Sequence, residues 1–161
     1  MAMKISDVYE NAMRLEEGSV YDLCASRQID IRLVSPPGDD FPAAALIGQY
    51  GYIGILLNQN KLVSLENTEF ILLHELGHYE NELESGYGRH YSHADADSKE
   101  ERYANLFAVF RLLPKHPVSN DSIFKTASEK GIPYNIIKSV LFQLSLEPDP
   151  FFRNYYAEYI I

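Results

Sequence analysis

His74-Glu75-Leu76-Gly77-His78, preceded by Glu69-Phe70-Ile71-Leu72-Leu73, is the stretch on which the fold turns. On an α-helix, residues four apart share a face, so His74 and His78 can present ring nitrogens to one ion while Glu75 projects beside it. Such a set supplies two ligands and a general base for a zinc ion that activates water. The surrounding residues are apolar almost all round, the mark of a buried helix. Polar groups there are costly unless satisfied, and a metal ion satisfies two imidazoles directly. The plainer alternative is a pair of hydrogen-bonded histidines in an ordinary core helix.

Catalytic zinc takes three protein ligands and keeps a fourth position for water. The extended pattern with a Gly three residues and a His six residues after the second His is absent, because those places hold Asn81 and Glu84. The run Glu101-Arg102-Tyr103-Ala104-Asn105-Leu106-Phe107-Ala108 is the better source of a third ligand. Ala104, Phe107, Ala108, Arg111 and Leu112 continue a helical period from Glu101, and Asn105 lies one turn on along the same face. Glu101 can ligate, and Asn105 can brace a ligand histidine and fix its tautomer. Glu84 and Glu100 remain competing ligands, and Glu100 with Glu101 also reads as an acidic first turn that complements the helix dipole.

These residues carry a resemblance. His74-Glu75-Leu76-Gly77-His78, then Glu101-x-x-Ala104-Asn105-x-Phe107-Ala108, then Leu112-Leu113-Pro114, resembles the ImmA/IrrE family of zinc metallopeptidases over roughly positions 50 to 115. The strand-like Tyr52-Ile53-Gly54-Ile55-Leu56-Leu57-Asn58 is similar to the strand which that family places before its active-site helix. The resemblance implies Zn2+ held by His74, His78 and Glu101, with Glu75 as general base, in a gluzincin-like metalloendopeptidase. It further implies a cytoplasmic enzyme of phage, mobile-element or stress regulation that cleaves a repressor with a helix-turn-helix domain. One departure is the polar, Gly-containing run Glu80 to His93, which reads as a loop able to cover the cleft. His90 or His93 would then hydrogen-bond the oxyanion, the alternative being two solvated loop histidines.

Working outward, Ser6 to Leu15 and Ser19 to Gln28 read as short helices separated by Gly18, each opened by a capping residue. Ile29-Asp30-Ile31-Arg32-Leu33 alternates as a strand and is ended by Pro36-Pro37-Gly38. Strands around Ala43 to Gln49 and Tyr52 to Asn58, divided by Gly51, suggest a hairpin. Helices from about Asn67 to Glu82 and Ser98 to Leu113 carry the two motifs. The expected class is therefore α+β: a small antiparallel sheet packed on a zincin-like active-site helix pair, with a helical C-terminal part. One domain over 1–161 is expected, with a catalytic core over 1–115 and a helical extension over 116–161. If Tyr52 to Asn58 is an edge strand, Gly54, Leu56 and Asn58 lie where an extended substrate would pair by β-augmentation.

Composition bounds the rest. The chain has 161 residues, 46% hydrophobic and 23% charged, ordinary values for a globular domain able to bury a core. One cysteine, Cys24, forms no internal disulfide; with no apolar secretory segment at the start, this argues for the cytoplasm. No apolar run approaches the ~20 residues that cross a bilayer. The net charge of −9 disfavours phosphate backbones and suits encounter with a basic protein, such as a DNA-binding repressor. Ser119 to Lys130 and Tyr134 to Leu146 read as two helices about Gly131, with Ala127, Gly131 and Ile137 at helix-turn-helix spacing. The second of these helices offers only Lys138 as a positive charge, which argues against direct nucleic-acid binding. The aromatic run Phe151 to Ile161 either anchors a partner or packs back on the core.

Two function classes follow. The first is a zinc endopeptidase acting on a regulatory protein. The second is a non-cleaving antirepressor that grips a repressor with the same fold.

Overall fold

The protein is described by a computed structural model over residues 4–85 and 98–161, with the backbone alone described for 82–85. The elements run α1 (Ile5–Arg14), α2 (Val20–Ser26), β1 (Ile29–Val34), β2 (Ala44–Gln49), β3 (Tyr52–Asn58), a 3-10 turn (Gln59–Lys61), α3 (Leu65–Ser85), α4 (Lys99–Leu112), α5 (Ile123–Glu129), α6 (Tyr134–Ser145) and α7 (Pro150–Arg153). The α+β class holds, and so does the helical C-terminal part. No helix among the described residues is long and apolar enough to cross a membrane.

Local chemistry explains most boundaries. Ser19, Ser98 and Ser122 cap α2, α4 and α5 by accepting from the backbone N–H three residues on. Ser64 does the same for Asn67, so α3 starts two residues before the expected Asn67. The short helix α7 was not foreseen, yet Asp149 caps it by accepting from Phe151 N at 2.9 Å, and Pro150 starts it.

The sheet departs from the antiparallel expectation. Its order is β1-β3-β2, with β3 parallel to β1 from Ile29↔Ile53 to Val34↔Asn58 and antiparallel to β2 from Ala44↔Leu57 to Gln49↔Tyr52. The segment 35–43 reverses the chain and skips one strand position, and the β2–β3 hairpin then inserts β3 into the gap. Side-chain alternation sets which face is buried and carries no information on strand direction.

One face of the sheet, with Ile29, Leu46, Ile55 and Leu57, packs into a core shared with Phe70, Leu72, Leu73 and Leu76 of α3. Helix α4 lies on the far side of α3 and contributes Leu106, Phe107, Val109 and Phe110. Helix α1 is tied to α4 at two points: Asn11 Nδ2 donates to Tyr103 Oη at 2.7 Å, and the Arg111 guanidinium donates to Ala12 O at 3.0 Å and Glu16 O at 3.3 Å. Arg111 thereby satisfies carbonyls that the end of α1 leaves open. Helix α2 is tied to α3 through Arg27, whose Nε donates to Glu80 at 2.8 Å while Nη2 pairs with Glu16 at 3.0 Å.

The C-terminal part docks on the same two helices. Asn67 Nδ2 at the start of α3 donates to Gly131 O at 2.9 Å. Gly131 has φ +76°, and an added Cβ would stand 2.3 Å from Asn67 N and Glu66 C, so the α5–α6 turn presses backbone against backbone. The aromatic tail packs back on the core. Tyr156 Oη donates to Leu113 O at 3.1 Å, Tyr159 Oη donates to Pro114 O at 2.7 Å, and the Tyr9 ring is surrounded by Phe110, Phe151, Phe152 and Tyr155 at 5.5–5.6 Å.

Candidate metal centre

The centre is built where α3 crosses α4. His74 and His78 lie one turn apart on α3, with ring centroids 4.8 Å apart and planes at 81°. Gly77 lets α4 approach closely at this point: a Cβ there would meet Ala104 Cα at 3.1 Å and Phe107 Cβ at 3.2 Å. Ser98 fixes the start of α4 by accepting from Glu101 N at 3.2 Å, which sets Glu101 in the first turn of the helix.

The result is one carboxylate spanning two imidazoles. Glu101 Oε2 is 2.9 Å from His74 Nε2, and Glu101 Oε1 is 3.1 Å from His78 Nε2. One donor atom from each of the three residues lies within 4.8 Å of the others. His78 and Glu101 are buried and His74 is half-buried. Two nitrogens and a carboxylate match the preferences of zinc, and the N···O separations approach the roughly 3.3 Å ligand–ligand edge of a tetrahedron with zinc-length bonds. The donor set therefore fits such an ion. Glu75, next to His74 on α3, is fully buried.

The other sequence-derived candidates fall out differently. Glu100 is exposed, so of the two adjacent acids only Glu101 joins the histidines. Asn105 is half-buried one turn beyond Glu101, and no hydrogen bond joins it to either histidine among the described residues. His90, His93 and the side chain of Glu84 lie outside the described residues.

The expected substrate strand is corrected. Gly54, Leu56 and Asn58 sit on β3, which is the central strand, and both of its backbone edges are already in ladders with β1 and β2. No third chain can pair there. Asn58 instead shapes the following turn, donating from Nδ2 to Phe41 O at 3.2 Å and accepting from Asn60 N at 3.0 Å. The near-continuous apolar run Ile53-Gly54-Ile55-Leu56-Leu57 reports burial of both faces of the strand and says nothing of whether both of its backbone edges are paired. Sequence reasoning also missed the close crossing at Gly77 and the Arg27–Glu80 tie, neither of which has a signature in local periodicity.

Residues 27–122 match the model of a peptidase family described as the IrrE N-terminal-like domain. No curated protein and no solved structure matches the chain.

Proposed function

Because the chain belongs to the peptidase family of the IrrE N-terminal-like domain, we propose that it is a zinc-dependent endopeptidase of the cytoplasm that cuts a regulatory protein. The substrate we infer is a helix-turn-helix repressor of a phage or mobile element. The observation that carries the reading is the Glu101 carboxylate spanning His74 Nε2 and His78 Nε2 at 2.9 and 3.1 Å. The net charge of −9 supports a basic partner of the kind that binds DNA.

In this reading His74, His78 and Glu101 hold zinc. When bound, zinc would polarise the scissile carbonyl and make a coordinated water acidic enough to lose a proton near neutral pH. Glu75 accepts that proton and later passes it to the leaving amine. The place of Glu75 beside His74 on α3 supports the role, because a general base must stand within hydrogen-bond reach of the water it deprotonates. The substrate segment is taken in extended form along β2, which pairs only with β3 among the described residues and lies against α3.

The test has two arms. Metal analysis of the purified protein should find about one zinc per chain, lost in Glu101→Ala. Glu75→Gln should keep zinc and partner while abolishing cleavage. A Glu75→Gln protein that still relieves repression as well as the wild type would overturn cleavage in favour of a gripping antirepressor. Absence of zinc after reconstitution would sink the metallopeptidase reading.

A further inference from the structure

The turn between β2 and β3 holds an aromatic residue in a conformation that aromatic residues avoid. Tyr50 has φ +53° and Gly51 has φ +80°, so both central residues of the two-residue hairpin are left-handed. Asn-Gly is the pair that such a turn favours, because a bulky side chain in the left-handed region is strained. Among the described residues no packing offsets that strain, since Tyr50 is 97% exposed. Its neighbour Tyr52 is used differently. The Tyr52 phenol donates to Asp30 Oδ2 at 3.1 Å and lies across Gly54, where an added Cβ would meet its oxygen at 2.7 Å. Tyr52 is thus laid against the sheet, while Tyr50 stands out from its end.

The start of β1 shares that end of the sheet, since Gln49↔Tyr52 closes the hairpin and Ile29 pairs with Ile53. Arg27, just before β1, donates to Glu80, two residues beyond His78. Strand β2 is an edge among the described residues and lies against α3, so a polypeptide paired along its outer side passes beside the helix that bears His74 and His78 and reaches Tyr50 at the end of the strand.

We propose that Tyr50 is a substrate-recognition residue whose ring receives an apolar or aromatic side chain of an extended polypeptide lying along β2. The inference rests on the peptidase reading and assigns that site a specificity contact outside the metal centre. Residues held in sparsely populated backbone conformations cluster at ligand-contacting sites, and Tyr50 is one whose ring is open to a partner. A tyrosine also loses few torsions when it is fixed, which suits it to such a contact.

The experiment compares zinc-loaded full-length wild type with Tyr50→Phe, Tyr50→Ala and Tyr50→Asn, using fluorescein-labelled β-casein as the probe. Tyr50→Asn relaxes the turn and should raise the melting temperature, yet both it and Tyr50→Ala should raise KM roughly five- to tenfold with kcat unchanged. Tyr50→Phe should match wild type. The same ranking should appear in casein affinity, read by anisotropy in a Glu75→Gln background, which does not depend on turnover. Equal KM and equal affinity across the series, or no casein binding by the Glu75→Gln protein, would overturn the proposal. Zinc content measured on every variant separates the two readings: a full zinc complement with indifferent Tyr50 variants leaves the peptidase standing, whereas absent zinc removes both.

Discussion

Ala104 Cα lies 3.1 Å from the point at which Gly77 would carry a Cβ. The obstacle is backbone, so α4 has no side-chain rotation with which to make room. Gly77→Ala asks α4 to yield by a few tenths of an ångström, and the 2.9 and 3.1 Å separations between Glu101 and the two histidines should widen with it. We expect zinc affinity to fall by roughly tenfold or more, with a stability loss of about 1–3 kcal/mol from overpacking. Chelator competition and urea unfolding measure the two effects, and unchanged zinc affinity in Gly77→Ala would show that the close crossing does not set the centre.

Zinc should stabilise the fold. At free zinc about 1,000 times its dissociation constant, linkage predicts about 4 kcal/mol of added stability. Thermal unfolding with and without chelator reads this directly. In Glu101→Gln the chelator-dependent shift should shrink sharply, and an undiminished shift would place the ion elsewhere.

Gly131 carries two demands at once, a φ of +76° and a 2.3 Å approach to the backbone of Glu66 and Asn67. Gly131→Ala should destabilise by on the order of 3 kcal/mol or more, since strain and overlap add. Asn67→Ala removes only the 2.9 Å bond to Gly131 O and should cost about 1 kcal/mol. Equal losses in urea melts of the two variants would refute the steric account.

Glu16 titrates low. Its hydrogen bond from Arg27, helped by its own backbone N–H and by Ser26, brings the carboxyl from 4.5 to about 2. The folded value lies below the unfolded one, so the stabilisation is complete above about pH 4.5 and is lost as the pH falls toward 2. A carbon-detected NMR titration should find the Glu16 inflection near 2 in the wild type. It should move back toward 4.5 in Arg27→Ala, and an inflection that stays put would assign the shift to something other than Arg27.

Cys24 is fully buried among core side chains, and desolvation raises its thiol to about 11. At pH 8 almost no thiolate is present or accessible. Native protein should therefore resist a thiol reagent that labels the urea-unfolded chain at once. Rapid native labelling would mean that α2 opens readily.

The residues His74, His78 and Glu101 were legible in the sequence because their geometry is local to single helices: an i, i+4 pair in one, and an acid in the capped first turn of another. What joins the two helices was not legible. The approach of Ala104 to Gly77 depends on a tertiary crossing that no spacing announces. Strand β3 was expected at an edge because alternation tells which face is buried and not how many neighbours a strand has. The parallel pairing of β1 escaped for a related reason, since direction follows from the path of segment 35–43. The tail tyrosines Tyr156 and Tyr159 left packing and display equally open until their hydroxyls were found on Leu113 O and Pro114 O.

The Tyr156 hydroxyl belongs to a set of sequence-distant ties with a kinetic consequence. Helix α4 is fastened by Asn11 across 92 positions and by Tyr156 across 43, and α3 is fastened by Gly131 across 64. Such wide loops must close before these bonds form, and chains rich in sequence-distant contacts fold slowly. During synthesis the histidines emerge well before Gly131 and Tyr156. A nascent chain therefore carries the candidate ligands His74, His78 and Glu101 before the C-terminal ties to α3 and α4 can form.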